Sequence, residues 1–193
     1  MKKKALFFIA LAALSALFAG TNVAAQAKTY KVGEKGPAGG IIFYDKGYVI
    51  DGWRYLEAAP SDLEKKGEWQ STGLIATYVS GTTMGFGYGK QNTRKIIDTL
   101  KDKNSAAQWC ANLNTGGYND WYLPNLTELK MMYENLKKKN LGGLKDDWYW
   151  SSMAHVVSGD FVGWAWTFNF KTGATDSSLK GGNYWVRAVR QFQ

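Results

Sequence analysis

Residues 106–136 read AAQWCANLNTGGYNDWYLPNLTELKMMYENL, and they carry the sharpest element boundaries in the chain. Ser105 supplies an N-cap oxygen just ahead of Ala106, Trp109, Cys110 and Leu113, which recur at the spacing of one helix face. Asn114-Thr115-Gly116-Gly117 ends that helix, because Gly and Asn tolerate the left-handed turn at a C-terminus. Asn125 and Glu128 then stand at capping-box spacing, with Asn in place of the usual Ser or Thr. Pro124 favours an extended entry, and Leu126, Leu129, Tyr133 and Leu136 make an apolar stripe. Lys137, Lys138 and Lys139 fall at the C-terminal end, where the helix dipole favours cations, and Gly142-Gly143 lies beyond.

Working outward, Asn92 or Thr93 caps an earlier helix through Leu100 that places Ile96, Ile97 and Leu100 on one face. From Tyr149 onward the period becomes two. Trp164, Trp166, Phe168 and Phe170 share one face, and Ala165, Thr167 and Asn169 the other. At period two this aromatic stripe reads as the core face of a sheet. Tyr184 to Phe192 forms the last strand, and its alternation puts Arg187 and Arg190 on opposite faces, so at most one is buried, with Arg187 favoured for the structural role. Near the N-terminus, Ile41–Tyr44 is a short strand with a turn at Asp45-Lys46-Gly47. Trp53 to Ala58 is another strand, ended by Pro60. Residues 67–92 read as a long ordered loop with a strand fragment near Ile75–Val79. Within it, Gly85-Phe86-Gly87-Tyr88-Gly89 is a structural glycine–aromatic loop. A phosphate cradle would need Ser or Thr after Lys90, and Gln91 stands there. Helices in the middle and strands at both ends predict one α+β domain with an antiparallel sheet and two to three helices.

Lys2, Lys3 and Lys4, the apolar run Ala5–Ala19 and Ala25-Gln26-Ala27 form a signal peptide over residues 1–27, leaving 28–193 as the domain. The apolar run is too short for a comfortable membrane span, so the cleaved protein is not expected to be integral to a membrane. The leader holds three of the 24 Lys and Arg. The remaining 21 against 16 Asp and Glu give a formal charge of +5, which favours anionic partners. The charges are dispersed and no recognition helix accompanies them, which argues against nucleic acid. Cys110 is the single cysteine, so no internal disulfide closes, and it reads as a buried apolar side chain rather than a reactive thiol. The 29 aromatic residues (nine Trp, eleven Tyr, nine Phe) must supply much of the core.

Three ordered signatures carry a family resemblance. They are Ala106–Leu136, then Tyr149-Trp150-Ser151-Ser152 with the run Trp164–Phe170, then Tyr184-Trp185-Val186-Arg187-Ala188-Val189-Arg190. Together they resemble the family of the C-terminal domain of the Legionella collagen-like adhesin, over about Tyr30 to Phe192. The stretch GPAGGIIFYDKG and the later GWRYLEAAP are similar to spirochaete members of that family. The resemblance implies export to the periplasm, cell surface or medium, and attachment to sulfated polysaccharides. It places Trp121, Pro124, Glu128, Trp150 and Arg187 in structural roles. The order of elements also resembles the C-type-lectin-like architecture. Trp121-Tyr122-Leu123-Pro124 followed by a Glu-bearing helix is similar to sulfatase-modifying enzymes, whose catalytic cysteines have no counterpart here. In many relatives the position of Ala188 carries a cysteine. The resemblance implies a disulfide there to the position of Cys110, from which this chain departs.

Enzymatic patterns are weak. His155 is the only histidine, so a multi-histidine metal site is impossible, and neither metal nor cofactor is expected. Ser151, His155 and Asp160 lack a nucleophile elbow, and the adjacent Asp146 and Asp147 do not face one another as a hydrolytic pair must. Asn114, Asn119 and Asp120 offer oxygens for calcium but are ordinary turn residues too. No catalytic residue is assigned. The polar loops Ala154–Gly163 and Lys171–Asn183 are the binding candidates, with Trp148, His155, Lys171 and Lys180 as a polar–aromatic surface. The reading is an exported, non-enzymatic, adhesin-like module for an anionic glycan or envelope polymer. The alternatives are a scaffold domain that binds an envelope protein and, less favoured, an enzyme related to the sulfatase-modifying fold.

Overall fold

The computed structural model describes residues 28–74, 77–155 and 163–193, so the expected leader lies outside the described residues. The chain runs β1 (Ile41–Ile50), β2 (Trp53–Ala58), β3 (Lys65–Gly67), α1 (Gly89–Leu100), α2 (Ala106–Asn112), α3 (Leu126–Asn135), β4 (Trp148–Ala154), β5 (Trp164–Asn169), β6 (Thr175–Leu179), β7 (Tyr184–Val186) and β8 (Val189–Phe192). It is an α+β domain. The strands form a three-stranded sheet, β1-β2-β8, and a five-stranded sheet, β3-β7-β4-β5-β6. Pairing is antiparallel except between β4 and β7.

The single expected sheet is therefore two, and the reason is a break in the last expected strand. At Arg187-Ala188 the chain leaves the five-stranded sheet and joins β2 in the other. Ala59 N–H donates to Ala188 O at 2.9 Å, and Tyr122 and Val189 exchange a backbone pair just beyond. Alternation does not carry across the break. Arg187 and Arg190 are both buried, at 2% and 3% exposure, which corrects the expectation that at most one would be.

Each buried guanidinium is fully engaged. Arg187 donates from Nε to Ala59 O at 2.6 Å, from one terminal nitrogen to Glu64 at 2.8 Å and from the other to Gly142 O at 2.9 Å. Arg190 makes a two-point pair with Asp120 at 2.7 and 3.1 Å and reaches Glu57 at 3.2 Å. Glu57 in turn accepts from Ala38 and Gly40 N–H, which fixes the turn ahead of β1.

The five-stranded sheet separates two cores. Period two sends Trp150, Ala165 and Val186 into one, with Trp69, Cys110 and Ala188. It sends Tyr149, Phe168 and Phe170 into the other, with Leu129 and Met132 of α3. Phe168 and Phe170 of the aromatic stripe are fully buried, while Trp164 and Trp166 are only half-buried at the strand's start.

The helix caps follow the local signals. Ser105 Oγ accepts from Gln108 N–H, and Asn125 and Glu128 form the reciprocal capping box. α1 begins three residues earlier than Asn92, at Gly89. A side chain at Gly89 would collide with the Glu128 carboxylate, so only glycine lets this turn approach α3. Residues 77–79 are not a strand, and Ile75 and Ala76 lie outside the described residues.

Arg187→Ala should lower the unfolding free energy by about 3–5 kcal/mol, because it strands the buried Glu64 carboxylate. Arg187→Lys should recover only part, since an ammonium lacks the planar fork that serves three acceptors at once. Urea melts decide; full recovery with Lys would show that charge alone suffices.

Candidate functional site

The β1–β2 hairpin turns at Asp51-Gly52, with φ of +53° and +80°, the pattern of a two-residue type I′ turn. The expected turn at Asp45-Lys46-Gly47 is instead an irregularity inside β1. Pairing jumps there from Asp45↔Tyr55 to Ile50↔Trp53, so the longer strand loops out. That excess chain folds Lys46 back. Its Nζ donates to Ile50 O at 3.0 Å and sits 3.3 Å from the centre of the Trp53 ring, a cation–π contact. Partial burial pulls the Lys46 pKa below its usual value.

Across from Lys46 stand the loop Gly85–Tyr88 and the first turns of α1. Phe86 packs its ring 4.5 Å from Tyr44 and 5.7 Å from Trp53. Gly87 lies so close to Trp53 that a Cβ would come within 2.8 Å of the indole, and Gln191 Nε2 holds its carbonyl at 2.8 Å. Between the walls is a groove of about 540 Å³, lined by these rings, Tyr48, Tyr88, Lys90 and Arg94. Lys90 and Arg94 stand four apart on α1 and share one helix face. Neither meets a carboxylate among the described residues. Three cations thus face the groove against one carboxylate, Asp51.

Glu128 braces the wall from behind. Its carboxylate accepts from Asn125 N–H at 2.8 Å, Tyr122 O–H at 3.3 Å and Gly89 N–H at 3.4 Å, and Gly89 lies between groove residues Tyr88 and Lys90. Asn125 Nδ2 donates to Gly85 O and Thr127 Oγ1 to Met84 O, each at 2.6 Å. Burial pushes the Glu128 pKa up to about 7; the hydrogen bonds pull it down but do not win.

The four residues expected to form a binding surface do not come together. Trp148 and Lys171 flank one end of the β4–β5 pair, Trp148 opposite Asn169. His155 follows the other end of β4, about 20 Å away along a seven-residue strand, with its ring 4.6 Å from Trp166. Lys180 corrects the expectation outright, because its exposure is 0%. Its Nζ donates to Thr77 O at 3.1 Å and lies 4.9 Å from the Trp69 ring, and burial lowers its pKa to about 8. Most of the loop Ala154–Gly163, with Asp160, lies outside the described residues.

Trp121, Pro124, Glu128, Trp150 and Arg187 are all buried. Trp150 Nε1 donates to Gly67 O, and Pro124 O accepts from Ser152 N–H. Ser151 is buried with Oγ donating to Trp166 O. Asp146 and Asp147 pair with Lys137 and Lys66. Asp120, weighed above as a calcium ligand, is taken by Arg190. Among the described residues no three His, Cys, Asp or Glu side chains gather where they could hold a metal ion. Burial pushes the Cys110 thiol well up. Nor is any described helix long and apolar enough to cross a membrane.

The model of the Lcl C-terminal domain matches residues 60–190, more than half of the 193-residue chain, so the chain belongs to that family. No curated protein matches it. The matched segment begins after β2. Phe86, Lys90 and Arg94 lie inside it, whereas the hairpin that forms the other wall, from Tyr44 to Trp53, lies outside.

The raised Glu128 pKa sets a pH dependence. The folded state keeps a proton that the unfolded chain releases near pH 4.5, so this contribution is full below about 4.5 and is lost as pH rises through about 7. Burial also raises Glu57, with the same sign, while the lowered Asp45, Asp102, Asp146 and Asp147 act only at more acid pH. Stability should fall by up to about 3 kcal/mol across that window from Glu128. Glu128→Gln, which stays neutral, should flatten the fall in thermal melts from pH 5 to pH 8. An unchanged slope would show that Glu128 does not carry it.

Proposed function

We propose that this member of the Lcl C-terminal domain family is an exported, adhesin-like binding module that holds an anionic glycan or envelope polymer in the hairpin groove without turning it over. The observation that carries this reading is the groove's composition. Apolar ring surface from Tyr44, Trp53 and Phe86 lies beside Lys46, Lys90 and Arg94. Sugar rings present C–H faces that pack on aromatic rings, and acidic substituents need cations with hydrogen-bonding capacity to spare. Lys90 and Arg94 have it, since no carboxylate among the described residues pairs with them. The excess of basic residues over the whole chain adds long-range attraction of the same sign.

A sulfated polysaccharide of defined length is the direct probe. Calorimetry should show binding that weakens from about 50 mM to about 500 mM salt as screening grows. The double variant Lys90→Glu, Arg94→Glu should lose roughly tenfold or more in affinity, while Lys65→Glu, Lys66→Glu should lose little. Equal losses from both pairs would reduce the attraction to net charge and remove the groove. Shortened glycan products after prolonged incubation would overturn binding without turnover.

A further inference from the structure

The hairpin exposes three large apolar side chains in succession: Tyr48 at 65%, Val49 at 53% and Ile50 at 47%. Every residue from Gly47 to Gly52 is exposed. The pairing of β1 with β2 skips from Asp45 to Ile50, so Tyr48 and Val49 have no partner on β2 beside them. An exposed run of this kind costs solubility and calls for a function. The turn that presents it is tightly specified by Asp51-Gly52, and Lys46 locks the strand behind it through Ile50 O.

The surroundings say what covers this tip. Tyr48 and Ile50 line the same groove as Lys46, Lys90 and Arg94, and the half-exposed Tyr88 ring stands among them. The result is an apolar point with tyrosines in and beside it, next to cations that pair with no carboxylate among the described residues. A lipid interface has that order reversed: hydrocarbon below, then a zone that favours Tyr, then anionic headgroups. A soluble glycan has no use for exposed Val49 and Ile50. A protein partner would need roughly 800 Å² of matching surface on each side, far more than three side chains offer. A bilayer needs no matching shape. Asp51 alone runs against the trend, and it stands at a left-handed turn position that Asp, Asn and Gly fill best.

The geometry points to a membrane-docking tip: Tyr48, Val49 and Ile50 enter the surface of an anionic lipid bilayer while Lys46, Lys90 and Arg94 meet its headgroups. This rests on the groove cations being the anion site proposed above, but it assigns the apolar tip to a different partner. Each cation near such a surface should strengthen partition about fivefold.

The test uses the leaderless chain, residues 28–193, which holds every described element. Flotation with phosphatidylcholine vesicles containing about a third phosphatidylglycerol should carry the protein, and pure phosphatidylcholine should carry much less. Val49 is the tip residue that does not line the groove. Val49→Ser should lose about tenfold in vesicle partition, from the apolar area removed, yet keep its affinity for the sulfated polysaccharide. Lys90→Glu, Arg94→Glu should lose both. A second readout is Val49→Cys carrying an environment-sensitive dye, since the native Cys110 is fully buried and does not compete for label. Its emission should shift to the blue on anionic vesicles. If Val49→Ser floats like the wild type, or the dye does not shift, membrane docking is wrong while the groove reading stands. If Val49→Ser loses the polysaccharide instead of the vesicles, the tip belongs to the glycan site. Loss of vesicle and polysaccharide binding by Lys90→Glu, Arg94→Glu but by no tip variant would leave the groove alone.

Discussion

Two arginines enter the interior where the chain crosses from one sheet to the other, and the rest of the domain is arranged around satisfying them. Removing a guanidinium from water is costly unless each of its donors finds an oxygen. Arg187 meets that demand with oxygens from three separated segments, at residues 59, 64 and 142. Arg190 meets it with Asp120 and Glu57. These partners come from the end of β2, the segment after it, the stretch beyond α3 and the turn ahead of Trp121. A chain that placed any of them elsewhere would leave a charge unpaired in the core. The arginines therefore penalise competing arrangements of the two sheets more than they add net stability to the right one.

That constraint reaches the groove through β8. Arg190 opposite Glu57 sets the register of β8 on β2, and the next residue, Gln191, holds the Gly87 carbonyl. Gly87 in turn lies against Trp53 of β2. The groove's two walls are thus referenced to the same strand pair. From the other side, the Asn125–Glu128 capping box does more than end-cap α3. Asn125 and Glu128 spend their remaining hydrogen-bonding capacity on Gly85 and Gly89, so a local helix signal also fixes a loop about 40 residues away in sequence.

What the sequence made legible follows the range of the forces. The caps of α2 and α3, the apolar stripe of α3 and the period-two run at Trp164–Phe170 are set by neighbours within four residues, and each could be read. The break at Arg187-Ala188 could not, because it depends on Ala59 and Tyr122, far away in the chain. The burial of Lys180 was hidden for the same reason: Trp69 and Thr77 cover it, more than 100 residues earlier for Thr77. A Ser- and Gly-rich loop also looks exposed by composition. Asp51-Gly52 between Ile50 and Trp53 is a strong hairpin signal, but Asp45-Lys46-Gly47 offered a rival turn, and only the pairing of β1 with β2 decides between them. With the turn misplaced, Tyr48 to Ile50 had no position in the fold, and the groove could not be assembled from the sequence.

The cations of this domain fall into distinct classes, and the difference bears on what it can bind. Arg187 and Arg190 are buried, and carboxylate and backbone carbonyl oxygens of the same chain occupy them, so they are closed to any partner. Lys180 is buried and pairs with no carboxylate among the described residues, and burial lowers its pKa, which lessens the cost of holding it beside Trp69. Lys90 and Arg94 are not buried and pair with no carboxylate among the described residues, and they stand beside aromatic ring surface. An anion placed there gains contacts at little desolvation cost to the protein, and it disturbs none of the interior pairs. Recognition and folding therefore draw on separate charges. The framework inside residues 60–190 can stay fixed while the hairpin in front of it, outside that segment, sets which anionic surface the domain meets.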